Sequence, residues 1–159
     1  MNAIEMLTQT LEGTHGLLKD TLADFTDADM LVRPAPHANH AAWQLTHLIA
    51  SEVHMASMVG VKMPTLDAEI VRKTEKGSET LDGPGDFLSK AELLALFAQV
   101  RQAAIAGVKT LSENDLDKPT GIPHSPNVGQ FLGLLNGHLV MHVGQIQVTR
   151  RKLGKPVMF

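Results

Sequence analysis

Histidine is the residue type in this sequence that is best suited to do chemistry. The 159 residues include eight histidines but no cysteine and no tyrosine. Histidine is the commonest protein ligand of metal ions and a frequent acid–base group. Without cysteine there is no thiolate ligand, no disulfide and no cysteine nucleophile. Metal binding would therefore depend on imidazole rings, and any sulfur chemistry would need an external thiol.

Two histidines stand four residues apart near the C-terminus. His138 and His142 lie in a nearly all-apolar segment, residues 134–143. On a helix this spacing places both rings on one face, so that two imidazole nitrogens can bind one cation. The spacing also occurs on ordinary solvated helices, and core histidines remain the alternative. An apolar helix would bury both rings, however, and each unpartnered ring would cost about 1–3 kcal/mol. A shared metal ion gives both a partner.

A third ligand can come from His47, which lies on a predicted helix face with Trp43 and His54. Three neutral nitrogen ligands from two helices leave coordination positions open, as in catalytic metal sites. His54 is seven residues further on, about 10 Å along the helix axis, too far to bind the same ion. We expect Trp43 and His54 to line the pocket or support a ligand, and for His54 a satisfied core histidine is the alternative.

Two polar residues near these histidines are further candidates. Gln145, one turn beyond His142, should face the same cavity and could orient a ligand or bind substrate, although a buried amide bonded to backbone is equally compatible. Glu52 is the nearest carboxylate on the second helix. It lies about 140° around the helix from His47, which disfavours it as a general base.

A di-iron site is disfavoured by the sequence. Glu12 and His15 have the Glu-x-x-His spacing of di-iron bundles, but that chemistry needs the motif twice and two further glutamates. Only one copy is present. Three other histidines lie in proline-rich links, where we expect them to be solvated: His37, His40 and His124.

Apolar residues at spacings of three and four predict four long helices. They span about residues 2–24, 39–60, 89–111 and 127–153. Asn39 is the expected cap of the second, and a Ser89–Glu92 capping box begins the third. Residues 62–87 form a long link, and no segment alternates like a strand. We therefore expect an all-α single domain over residues 1–159, a four-helix bundle with a long crossover between the second and third helices.

Four glycines recur along the last helix, at positions 129, 133, 137 and 144. Each glycine inside a helix costs about 0.5–1 kcal/mol relative to alanine. A close helix approach, within the bundle or across a dimer interface, would explain them. The alternative is that some belong to a frayed first turn.

The overall composition excludes several classes of protein. Charged residues make up 19% and hydrophobic residues 43%, and the net charge is -3. These values fit neither a disordered chain nor a strongly basic nucleic-acid binder. The N-terminus lacks signal-peptide features, and no apolar run approaches about 18–20 residues. We expect a cytoplasmic protein with no membrane or nucleic-acid partner.

Two short motifs resemble those of the DinB/YfiT-like family of metalloenzymes. They are Trp43-Gln44-Leu45-Thr46-His47-Leu48 and His138-x-x-x-His142-x-Gly144-Gln145-Ile146. The resemblance implies an up-down-down-up bundle, a homodimer, and a zinc or nickel ion held by three histidines. By this likeness His47, His138 and His142 are the triad. Many members have a basic residue where this chain has Val143, which argues against anion binding at this position.

The resemblance also implies a range of activities. Relatives include S-transferases and isomerases that use low-molecular-weight thiols such as bacillithiol or mycothiol, and others are called hydrolases. We expect a divalent-metal-dependent transferase that activates such a thiol for attack on a small electrophile. A hydrolase using metal-bound water and a non-catalytic, metal-binding dimeric module are the alternatives.

Overall fold

The computed structural model describes residues 1–158. Four long helices form the body of the molecule, as predicted, and three short helices, a 3₁₀ turn and a small hairpin lie in the links. The elements are α1 (Ala3–Leu22), α2 (Asp27–Met30), α3 (Ala41–Met58), α4 (Ala68–Arg72), the 3₁₀ turn (Ser78–Thr80), α5 (Lys90–Lys109), α6 (Glu113–Leu116), β1 (Pro119–Ile122), β2 (Ser125–Asn127) and α7 (Val128–Lys152).

Contacts between the long helices define an up-down-down-up bundle. α1 runs parallel to α7, because Thr14 contacts Asn136 and Thr21 contacts Gln147. α5 runs opposite to α1, since Lys90 at its start donates to the carbonyl oxygen of Leu22 at the end of α1. The start of α3 likewise packs beside the end of α7. Each helix packs on two others, in the cyclic order α1, α7, α3, α5.

The prediction of no strand is wrong at the start of α7. β1 and β2 pair antiparallel, with Ile122 opposite Ser125. Gly121 has a φ of 74°, a conformation that glycine adopts without strain. Strands of four and three residues are too short to show the alternation by which strands are predicted.

The start of α3 also differs from prediction. His40, and not Asn39, caps the helix, and its Nδ1 accepts a hydrogen bond from the Trp43 backbone N–H at 3.1 Å. Nor is His40 solvated. Its side chain is fully buried, and Nε2 donates to the carbonyl oxygen of Leu81 at 2.9 Å. The crossover between α3 and α5, which carries Leu81, folds over this residue and excludes water from it.

The core consists of two apolar clusters separated by a polar layer. One cluster includes Leu45 and Leu139, and the other includes Leu11 and Leu132. Between them Arg101 of α5, which is fully buried, donates to Glu52 of α3 at 2.7 Å. By length and composition alone α5 could cross a membrane. Its packing against α1 and α3, with a buried ion pair at its middle, is that of a core helix in a bundle.

Candidate metal centre

The antiparallel packing of α3 and α7 brings three histidines together. Nε2 of His138 lies 3.2 Å from Nε2 of His47 and 3.2 Å from Nε2 of His142. One ring nitrogen from each residue lies within 4.8 Å of the other two. His142 is buried, whereas His47 and His138 are half-buried. The three rings therefore form a cluster at the edge of the core, open on one side.

The two measured separations from Nε2 of His138 fit a shared divalent cation. Two imidazole nitrogens bound at about 2.0–2.1 Å to a tetrahedral ion are about 3.3–3.4 Å apart. The 3.2 Å separations are close to this value. A neutral imidazole has a single N–H group, so three rings meeting at one point cannot satisfy each other by hydrogen bonds alone. A shared cation accepts all three lone pairs.

Gln44 fixes the orientation of one of the rings. Its side-chain nitrogen donates to the carbonyl oxygen of Asn39 at 2.7 Å. This contact turns its oxygen towards Nδ1 of His142, at 3.1 Å. An amide oxygen only accepts, so Nδ1 of His142 carries the proton and Nε2 presents its lone pair to the cluster. Sequence reasoning missed Gln44, although it lies within the motif that carries the family resemblance.

Trp43 covers another of the rings. Its indole stacks on His47 with ring centroids 5.0 Å apart and an interplanar angle of 10°. The indole N–H donates to the hydroxyl of Ser78 in the crossover at 3.0 Å. One turn after His47, the hydroxyl of Ser51 lies 3.3 Å from its Nε2. Neither serine was singled out in the sequence. Ser51 has the i+4 spacing that places it on the His47 face of the helix, whereas only the folded chain brings Ser78 to α3.

The surroundings keep the triad neutral. Burial lowers the pKa of His47 and His138, and the positive charge that His138 can carry lowers the pKa of His47 further. Burial, followed by the charges of the other two rings, lowers the pKa of His142 to about 4. Histidine binds metal only when unprotonated, so these shifts favour the metal-binding form at neutral pH.

The other predicted site residues lie outside the cluster. His54 is exposed, so neither a core position nor a place against the three rings is correct for it. The helix turns it to the solvent side of α3. Gln145 is exposed too, not a buried amide. The polar side chain of Gln145 opposes the lowering of the His142 pKa, but less than burial and the other two rings promote it. With Gln44 and Val148 it lines a cavity of about 410 Å³.

Glu52 belongs to the polar layer of the core. Arg101, its partner, also donates to the Thr14 hydroxyl at 3.2 Å, and Thr14 donates to the Asn136 side chain at 2.9 Å. The layer thus joins all four long helices. Burial raises the pKa of Glu52 to about 7, although the Arg101 guanidinium opposes the shift. Glu52 is therefore a structural carboxylate paired with an arginine.

Three of the four glycines of α7 make no close contact with another helix of this chain. A Cβ added at Gly133, Gly137 or Gly144 would have no neighbour within 4 Å. Only Gly129 is close to another element, since its Cβ would meet that of Leu116 of α6 at 3.3 Å. The within-bundle explanation is therefore wrong for the other three, and the dimer explanation stays a prediction.

The chain is thus a four-helix bundle in which three imidazoles converge, an arrangement consistent with a bound divalent metal ion. The model of the DinB superfamily matches residues 10–146, and the chain belongs to this superfamily. The family resemblance stated from the two motifs is thereby confirmed. No curated protein matches the sequence.

Two solved structures resemble the whole fold. A conserved protein from Enterococcus faecalis matches with a TM-score of 0.72 and 19% identity, covering 98% of this chain and 99% of the other. YfiT from Bacillus subtilis, described as a probable metal-dependent hydrolase with an unusual four-helix bundle topology, matches with a TM-score of 0.63 and 19% identity. That match covers 96% of this chain and 89% of YfiT. At these identities the likeness shows the fold alone, and it confirms the predicted bundle.

Proposed function

We propose that this protein is a divalent-metal-dependent transferase that activates a low-molecular-weight thiol for attack on a small electrophile. The observation that carries the proposal is the convergence of three neutral Nε2 atoms with no carboxylate hydrogen-bonded to any of the rings among residues 1–158. Zinc or nickel suits three imidazole ligands. A divalent ion held by three neutral imidazoles keeps its full positive charge, which lowers the pKa of a bound water and deprotonates a bound thiol.

The residues of the chain prepare the site for such a reaction. Gln44 holds the His142 ring with its lone pair directed into the cluster, and Trp43 covers one face of His47. The rings of His47 and His138 are half-buried, so solvent and small solutes can reach them. In the reaction the thiol proton leaves to solvent and the sulfur forms a bond to an electrophilic carbon. The leaving group departs with the electron pair of the bond that breaks.

The lack of a nearby free carboxylate favours a thiol over water as the nucleophile. Hydrolysis by metal-bound water commonly uses a glutamate as general base, as in H-E-x-x-H metalloproteases. Glu52, the carboxylate nearest along α3, is paired with Arg101. A bound thiol needs no such base, because it loses its proton on binding. The cytoplasm, where small thiols stay reduced, is the proposed compartment.

Hydrolysis is the second candidate function. It is supported by the likeness to YfiT, which is itself described as a probable metal-dependent hydrolase. In this case water would replace the thiol, and an ester or amide would replace the electrophile.

Cobalt-substituted protein distinguishes the two candidates. We expect addition of bacillithiol or mycothiol to produce a sulfur-to-cobalt charge-transfer band, and the metal-loaded protein to accelerate thiol addition to halogenated or epoxide electrophiles. His47→Ala should abolish the band, whereas His54→Ala, at an exposed histidine of the same helix, should leave it intact. Ester hydrolysis with no response to thiols would establish the hydrolase instead. Purified protein that takes up no metal would overturn both candidates.

A further inference from the structure

Trp43, His47 and Ser51 share one face of α3, because they follow each other at intervals of four residues. Trp43 stacks on the His47 ring from the turn before it, and Ser51 approaches the same ring from the turn after it. The Oγ atom of Ser51 lies 3.3 Å from Nε2 and 3.5 Å from Nδ1 of His47. Ser51 therefore touches the triad without being one of its three histidines.

The position of the Ser51 oxygen is unfavourable for a hydrogen bond to the imidazole ring. Its distances to the two ring nitrogens of His47 are nearly equal. The hydrogen-bonding directions of these nitrogens lie in the ring plane and point away from each other, so an oxygen equidistant from both faces neither. Thr46 of the same helix donates to the carbonyl oxygen of Ala42 at 2.8 Å. Ser51 makes no such bond to its preceding turn, and within residues 1–158 its O–H has no well-directed acceptor.

Ser51 lies at the more open end of the triad. Gln44 contacts His142, and His47, three residues further along α3, contacts His138, four residues earlier on α7. Continuing along α3 from His47 therefore leads away from the buried ring of His142. Ser51, one turn further on, is half-buried like His47 and His138. Gln44 thus contacts the triad at its buried end, and Ser51 contacts it at the end that small solutes can reach.

The chemistry of a hydroxyl at this place suits an anion bound beside the three rings. A divalent ion would take the lone pairs of the three Nε2 atoms, so Nε2 of His47 would offer Ser51 no acceptor. A thiolate or hydroxide would then be the strongest acceptor nearby, because a hydrogen bond to an anion is roughly twice as strong as one between neutral groups. The hydroxyl is itself uncharged, so it leaves the positive charge of the site intact.

We propose that Ser51 binds the nucleophile of the reaction, with its hydroxyl donating a hydrogen bond to the anion held at the triad. This role rests on the proposed function, because it requires a thiolate or hydroxide beside the three rings. The hydrogen bond occupies one lone pair of the nucleophile and so restricts the direction from which an electrophile can be attacked.

Ser51→Ala removes the hydroxyl with little effect on α3, because alanine favours the helix. In cobalt-substituted protein this variant should bind bacillithiol about 10-fold more weakly than the natural protein does. Its sulfur-to-cobalt band should also move to longer wavelength, since a hydrogen bond to sulfur stabilises the electrons that the transition moves. Ser51→Thr, which keeps a hydroxyl, should restore the band position and most of the affinity. Ser57→Ala, at an exposed serine of the same helix, is the matched control and should behave like the natural protein.

Metal affinity separates this role from mere support of the His47 ring. Competition with a chelator should give the same cobalt affinity for the natural protein, Ser51→Ala and Ser57→Ala. Weaker cobalt binding by Ser51→Ala would show that the hydroxyl serves the ring, and would overturn the proposal. An unchanged thiol affinity and band position in Ser51→Ala would overturn it as well.

Azide, a small anion that binds open positions on cobalt, distinguishes failure of this proposal from failure of the proposed function. Natural protein that binds azide but no thiol would refute the transferase, and Ser51→Ala should then still bind azide about 10-fold more weakly than the natural protein. Equal azide affinities would overturn the role of Ser51 alone. Natural protein that binds neither azide nor thiol would overturn both.

Discussion

The side-chain oxygen of Gln44 lies 3.1 Å from Nδ1 of His142, while its nitrogen donates to the backbone of Asn39. Gln44 thus links the backbone just before α3 to the ring of His142. It binds no metal itself, yet it sets which nitrogen of His142 carries the proton.

Replacing Gln44 with leucine should weaken metal binding without unfolding the bundle. Loss of a partner that orients a ligand histidine typically lowers metal affinity by about 10–100-fold. Competition with a chromophoric chelator measures this affinity. Gln147→Leu is the matched control. Gln147 lies on α7 and is buried like Gln44, but its side chain contacts Thr21 of α1 and not the triad. Equal affinities for the two variants would show that Gln44 has no orienting role.

Trp43 should report metal binding by its fluorescence. It is the sole tryptophan, the chain has no tyrosine, and its ring centroid lies 5.0 Å from that of His47. Binding of nickel or cobalt to His47 should therefore quench the emission in a saturable, stoichiometric titration. His138→Ala should lose the saturable phase and His54→Ala should retain it. Saturable quenching in His138→Ala would argue against the three-histidine site.

Metal binding by the triad should persist to a lower pH than metal binding by solvent-exposed histidines. Burial lowers the pKa of all three histidines, so in the folded protein they remain neutral below the usual value of about 6.5. The apo protein should in turn lose stability as the pH falls below about 6.5, because unfolding lets these rings take up protons. Zinc affinity measured between about pH 7.5 and 5.5 should decline less than for a solvent-exposed pair of histidines. A steep decline beginning above 6.5 would contradict the neutral, buried triad.

Glu52 should make the stability of the protein depend on pH in a specific direction. Burial raises the pKa of Glu52 to about 7, above its value in the unfolded chain. The free energy of unfolding of the natural protein should therefore fall as the pH rises from about 4.5 to above 7. Glu52→Gln cannot ionise. The stability of this variant relative to the natural protein should therefore increase by roughly 1–3 kcal/mol from about pH 5 to 8, by urea denaturation. A difference that is constant across this range would mean that Arg101 fully compensates the buried charge.

Two glycines should respond oppositely to alanine. At Gly107 of α5 an added Cβ would overlap the side chain of Val61, so Gly107→Ala should destabilise the protein by about 1–3 kcal/mol. At Gly16 of α1 the added atom has no neighbour within 4 Å, so Gly16→Ala should stabilise it by about 0.5–1 kcal/mol. Thermal or urea denaturation of both variants measures the difference. Stabilisation by Gly107→Ala would show that α5 and the chain after α3 can separate at little cost.

The long helices were predictable because each has a strong apolar period and clear end signals. The Ser89–Glu92 capping box, for example, begins α5 as expected. The links were harder, because His40 is buried by the crossover, a contact with no local signature in the sequence. The short strands before α7 are held by pairing with each other, and this too leaves little pattern along the chain.

The triad itself was predictable from the sequence, whereas most of the residues around it were not. His138 and His142 are neighbours by helical geometry alone, and the motifs pointed to His47 as their companion. Gln44 and Ser78 act through contacts that exist only once α3 meets α7 and the crossover. Glu52 was correctly set apart from His47 by its angle on the helix. Its partner Arg101, on a different helix, had no sequence signal to mark it.

The hydrogen bond from the Trp43 indole to Ser78 ties the crossover to the surroundings of His47. The crossover contributes none of the three imidazoles, yet it holds the aromatic lid over one of them. Changes in its length or composition would shift that lid and so reshape the space available to a guest, while the rings themselves stay in place. In the proposed transferase, the crossover can thus affect which molecules fit beside His47, although it holds none of the metal ligands.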